Sequence, residues 1–93
     1  MNKLSECKQQ DRFNINYLDG TDEQIRHLKE LGFIPSSIVS VINTIDDNMI
    51  VQVFNSRIAI NSEVSDRIYG TILKREKGKN RVLSLFKNKK NKS

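Results

Sequence analysis

The chain is predicted to be mainly β, a small barrel of five short strands with one helix after the first strand and a basic C-terminal tail. Three observations carry this. Short runs rich in β-branched residues recur between turn signals; only one segment has helical periodicity; and the charge is divided sharply between a body and a tail. A length of 93 residues sets the scale, because a chain this short forms about one domain with one modest core.

"RFNINYL" alternates Phe13, Ile15 and Tyr17 with Arg12, Asn14 and Asn16, the period of two of a half-buried strand. Asp19 and Gly20 then turn the chain, and Thr21 with Gln24 has the spacing of a capping box, with Asp22 and Glu23 placed to favour the positive end of the helix dipole. Ile25, Leu28 and Leu31 place one apolar stripe on the helix that follows. Gly32 directly after Leu31 closes that helix in the left-handed conformation, and Pro35 prevents a restart and biases Ile34 toward extended geometry.

After this pair of stop signals the chain is expected to become sheet. "SIVSVINT" directs Val39 and Val41 to one face, "IDDN" forms a hairpin turn, and "MIVQVF" directs Met49, Val51 and Val53 to one face. "NS" turns the chain again into "RIAIN", where Ile58 and Ile60 lie together. "SEVSDRI" reads as a single helical turn opened by Ser62, before "IYGTIL" completes the sheet. Closure into a barrel is expected because it removes the exposed edges of strands this short.

The net charge of +5 is not a property of the whole molecule. Through Leu73, seven bases face ten acids, for a net −3, whereas from Lys74 onward nine bases face one acid, Glu76. Domain boundaries follow at 1–74 for the barrel and 75–93 for the tail. The tail is expected to be either a disordered solubilising end or a short amphipathic helix, in which Val82, Leu83, Leu85 and Phe86 share one lysine-flanked face that orders only against a surface such as an anionic membrane, a partner domain or RNA.

No apolar run reaches the roughly 20 residues of a membrane span, the N-terminus lacks a secretory h-region, and the single Cys7 fits a reduced thiol. The expected location is cytoplasmic, with recruitment to the inner face of the membrane through the tail.

An enzyme is not expected. The chain has one histidine, one cysteine, no glycine-rich phosphate loop and no nucleophile elbow. His27 shares its helix face with Glu23 and Glu30, which is ordinary for a solvated helix. Asp46 and Asp47 read as turn formers, and Cys7 as a small core hydrophobe. No metal site and no cofactor is expected, because no cluster of three or more ligands is visible, and the isolated protein should bind divalent metal no more than weakly.

An ordered set of segments over roughly residues 4–73 resembles the ferrous iron transport protein A family, FeoA. "LGFIPS" (Leu31 to Ser36) is similar to the family's Leu-Gly-apolar-x-Pro-Gly segment, "IAIN" (Ile58 to Asn61) to its Ile-Ala-Leu-Arg segment, and "SEVSDRI" to the short acidic turn and isoleucine after it. The resemblance implies an SH3-like barrel and a non-catalytic cytosolic accessory role at the membrane transporter FeoB. This chain departs from the pattern at three points. Ser36 stands where the family has glycine, which favours a type I turn there; Asn55 replaces a glycine between the central strands, where it tolerates positive φ; and Asn61 replaces an arginine.

Phe33 and Ile34, held between Gly32 and Pro35, are the first candidates for partner contact, the alternative being that one or both plug the barrel end. Leu83 and Phe86 are the second. The runner-up function is nucleic-acid binding through the basic tail, disfavoured because the body is acidic.

Overall fold

A computed structural model describes residues 1–73 of the chain. The segment from Lys74 onward, including Leu83 and Phe86, lies outside the described residues. The described elements are β1 (Asn2–Lys3), a 3-10 turn (Leu4–Glu6), β2 (Arg12–Leu18), α1 (Asp22–Leu31), β3 (Ile38–Ile45), β4 (Asn48–Val53), β5 (Ser56–Ile60), α2 (Ser62–Ser65) and β6 (Ile68–Leu73).

The strands form one sheet of six in the order β1-β6-β2-β3-β4-β5, every neighbouring pair antiparallel. Sequence reasoning expects five. The sixth, β1, is two residues long and has no alternation to reveal it. Full closure is not reached either, since among the described residues no ladder joins β5 to β1. The 3-10 turn and α2 pack together instead. The core lines the concave side of the sheet, where Phe13, Ile15, Val39, Val41, Val51, Val53 and Ile68 are buried, with Leu4 and Phe33 joining from outside the long strands.

Two bulges decide which side chains face that core. In β2 the register against β6 passes from Ile15 opposite Gly70 to Tyr17 opposite Tyr69, so Asn16 is the extra residue. Simple alternation would bury Tyr17; the bulge turns it outward and sends Leu18 in. Tyr17 then stacks on Tyr69 of the neighbouring strand, ring centroids 4.8 Å apart and planes 3° from parallel. In β3 a second shift, between Val41 and Asn43, has the same effect on Ile45, which comes out onto the convex face.

Helix α1 is built as its signals indicate. The Thr21 hydroxyl accepts from the Gln24 amide at 3.1 Å and Gln24 Oε1 accepts from the Thr21 amide at 2.9 Å. At the other end Gly32 is left-handed (φ 110°, ψ 0°), its N–H donating to the carbonyl of Lys29 and the Phe33 N–H donating to that of Leu28, both at 3.0 Å. This pair of bonds defines a Schellman cap. A Cβ on Gly32 would also lie 3.3 Å from Val53 and from the ring of Phe54. Gly32→Val is therefore expected to cost more than about 1 kcal/mol, because a β-branched residue is strained at positive φ. A chemical denaturation midpoint equal to wild type would show that the glycine is dispensable.

Three turn assignments change. Ser36 keeps the positive φ (82°) that a type I turn would have avoided; its N–H donates to the Ile15 carbonyl at 2.7 Å, and the Ile15 N–H returns a bond to Ser37 at 3.0 Å. Between β4 and β5 the positive φ falls on Phe54 (55°), not on Asn55. Helix α2 opens one residue before Ser62, because the Asn61 side chain accepts from the Val64 amide at 3.0 Å.

Candidate partner-binding surface

The loop from Gly32 to Pro35 splits into a buried and an exposed half. Phe33 is 0% exposed. As the residue after the capping glycine it takes the position whose side chain packs back toward Leu28, the usual apolar contact of a Schellman cap. It plugs the core and offers no surface, which removes it from the partner-contact candidates. Ile34 is 41% exposed. Pro35 is also exposed, and Gly32 is half-buried.

Two further apolar side chains border the same cap. Leu31, expected on the core-facing stripe, is 37% exposed, and Phe54 is 62% exposed, its ring 3.3 Å from where a Cβ of Gly32 would stand. Leu31 and Phe54 therefore flank a glycine that holds no side chain of its own, and exposed Ile34 follows two residues further along the chain. Phe54 is the member that sequence reasoning missed. A large aromatic in a two-residue hairpin loop is itself the signal, since that position is normally left to Gly, Asn or Asp. A bulky residue at positive φ costs on the order of 1 kcal/mol, and such strain concentrates at functional sites.

The remaining candidates are not brought together into reactive groups. Exposed His27 lines a shallow groove of about 540 Å³ between α1 and α2, with Glu23, Glu30, Glu63 and Arg67. Arg67 donates to Gln24 Oε1 at 3.0 Å and pairs with Glu63 at 3.4 Å. The groove carries both signs of charge. Asp46 and Asp47 form the turn between β3 and β4. Among the described residues no group of three or more His, Cys, Asp or Glu side chains could hold a metal ion.

Cys7 lies in the core, and burial pushes its thiol up from 9.0 to about 12, with Asp11 and Glu6 adding smaller effects in the same direction. The folded state holds the protonated thiol, so this contribution is intact below the unfolded pKa near 9 and is lost as the pH rises toward 12. Thermal melts should fall over that window more steeply for wild type than for Cys7→Ala, each referred to its own value at neutral pH. Equal slopes would show that the thiol does not contribute.

The helix cap and the strained hairpin present exposed apolar side chains on one small antiparallel sheet. The class so defined is a small, mainly β domain with a single helix of more than one turn among the described residues. A family model, FeoA domain, matches residues 2–72, and the chain belongs to the FeoA family.

Solved structures agree on the fold. A crystal structure of an iron uptake regulatory protein (FeoA) is 22% identical, with a TM-score of 0.72 over 77% of this chain and 97% of that one. The solution structure of FeoA from Chlorobium tepidum is 23% identical, with a TM-score of 0.70 over 83% of this chain and 75% of that one. FeoA from Stenotrophomonas maltophilia, a prokaryotic SH3 domain protein complexed with zinc, is 22% identical, with a TM-score of 0.64 over 82% of this chain and all of that one (100%). The expected SH3-like fold is thus the fold found. No curated protein sequence matches the chain.

Proposed function

We propose that the chain is a non-catalytic accessory protein of ferrous iron uptake that docks on the cytoplasmic part of a FeoB-type transporter. The observation that carries this reading is the exposure of the apolar side chains Leu31, Ile34 and Phe54 in the two segments that meet at Gly32, together with membership of the FeoA family. The Stenotrophomonas relative is put forward as a ferrous iron transport activating factor, which supports the same assignment.

Ile34 and Phe54 are the anchors, and Gly32 and Pro35 fix the backbone that presents them. Apolar side chains already held in place lose less conformational freedom on binding, and a few such anchors carry most of an interface's energy. The basic segment beyond the body supplies long-range attraction, which affects encounter more than the final affinity. No described helix is long and apolar enough to cross a membrane. The proposed location is the cytoplasm, with the inner membrane face reached through the transporter.

Ile34→Ala or Phe54→Ala is expected to weaken binding to the transporter's cytoplasmic domain at least tenfold, about 1.4 kcal/mol, while truncation after Lys77 slows association at low salt. The measurement is a binding titration over a salt series on variants with unchanged melting. Normal binding by both point variants, with binding abolished by truncation at every salt concentration, would move the anchor to Leu83 and Phe86.

A further inference from the structure

A second apolar face is left unused by that reading. The bulge in β3 turns Ile45 out, where it is 54% exposed. Ile50 lies opposite Asn43 on the same convex side, and Ala59 of β5 pairs with Ile50. With Asn48 and Met49 these residues line a depression of about 220 Å³. The turn beside it carries Asp46 and Asp47. Among the described residues β5 pairs only with β4, so the depression lies at an open edge of the sheet.

We propose that this face is the docking site of the chain's own segment Val82 to Phe86. Three features favour that occupant over others. The first is apolar match: Val82, Leu83, Leu85 and Phe86 have the sequence spacing of one helix face, too short to persist alone in water. The second is charge. The body through Leu73 is net −3, and two of its acids, Asp46 and Asp47, sit in the turn between Ile45 and Asn48, which line the depression, whereas Arg81 and Lys87 bracket the apolar segment within a stretch of nine bases and one acid.

The third is reach. Leu73 stands in a row across the sheet with Arg12, Ser40, Gln52 and Arg57. Four strand spacings make that row about 19 Å, and Ala59 lies two residues along β5, about 7 Å further. The nine residue steps from Leu73 to Val82 can span about 30 Å. A tether of this length holds the segment at an effective concentration in the millimolar range, so an intrinsic affinity of that order keeps the site about half occupied. This docking uses a face separate from Leu31, Ile34 and Phe54 and stands independently of the transporter assignment.

Methyl NMR on isoleucine- and alanine-labelled protein tests it, with the full chain compared to the chain truncated after Lys77. Truncation is expected to shift the methyl resonances of Ile45, Ile50 and Ala59 and to leave those of buried Ile15 and Ile68 in place. The full-length double variant Leu83→Ser, Phe86→Ser should reproduce the truncated positions. Asp46→Asn with Asp47→Asn should move the same signals at least halfway toward them. Three results would overturn the proposal: unchanged methyls at Ile45, Ile50 and Ala59; shifts that grow with protein concentration, which make a second copy the occupant; or shifts centred on Ile34, which place the segment over the helix cap.

Discussion

Gly70→Ala is expected to lose at least about 3 kcal/mol or to fail to fold. Gly70 lies in β6 opposite Ile15, at the point where β2 bulges. A Cβ there would collide with the carbonyl of Asn14 and stand 3.0 Å from the Asn16 nitrogen. Both obstacles are backbone, so no rotamer change relieves the clash. The two strands would have to part, and the ladder bonds flanking the bulge would go with them. Overpacking a core against side chains that can shift costs about 1 to 3 kcal/mol, and an unyielding neighbour places this case at or above the upper end. A domain of this size loses about 4 to 8 °C of melting temperature per kcal/mol. A drop of at least roughly 12 °C, or loss of a cooperative transition, should therefore appear in a circular dichroism melt. A melt within a few degrees of wild type would mean that the strands approach less closely at Gly70.

The second large effect is Phe33→Ala, for which a loss of about 3 to 5 kcal/mol is expected, the range for removing a buried aromatic ring. Phe33 is fully buried and belongs to the same core cluster as Leu28, Val53 and Val39. Ile34→Ala, one residue along but 41% exposed, should cost clearly less, on the order of 1 kcal/mol, because a large part of what it deletes is already in water. Urea denaturation of the two variants side by side decides the matter: similar midpoints would put both residues in equivalent environments, contrary to the structure. The contrast also bears on binding experiments, since a partner-binding defect in Phe33→Ala would report loss of fold and not loss of contact.

The division between these neighbours shows what could be read from sequence and what could not. The capping box of Thr21 and Gln24, the left-handed Gly32 and the strand faces of Val39, Val41, Met49, Val51 and Val53 are set within a few residues of chain, and local chemistry was enough to place them. Phe33 was legible in principle, because an apolar residue after a capping glycine is the partner of the helix residue five positions earlier, here Leu28. What could not be read were features imposed from across the sheet. Nothing in "RFNINYL" marks Asn16 as a bulge; the cause is the registry against β6, where Gly70 admits the close approach. Ile45 was turned outward in the same way. The two-residue strand β1 exists only through its pairing with Tyr69 and Gly70. Phe54 defied the turn preference that would have given positive φ to Asn55, and a residue that overrides local preference at a surface has its explanation in packing or in function.

The hydrogen bonds of Gln24 bear on the order in which the molecule assembles. Its Oε1 accepts from the Thr21 amide in its own helix and from the guanidinium of Arg67, 43 residues away. A helix of ten residues is below the length at which an isolated helix persists in water. The capping box looks self-sufficient in sequence, yet the oxygen at its centre acquires its second donor only when α2 and the start of β6 are in place. The first turn of α1 is therefore expected to gain its full set of hydrogen bonds only once contacts of long sequence separation have closed, so Arg67→Ala should lower amide-exchange protection at Thr21 and Gln24; unchanged protection there would show that the helix cap stands without it.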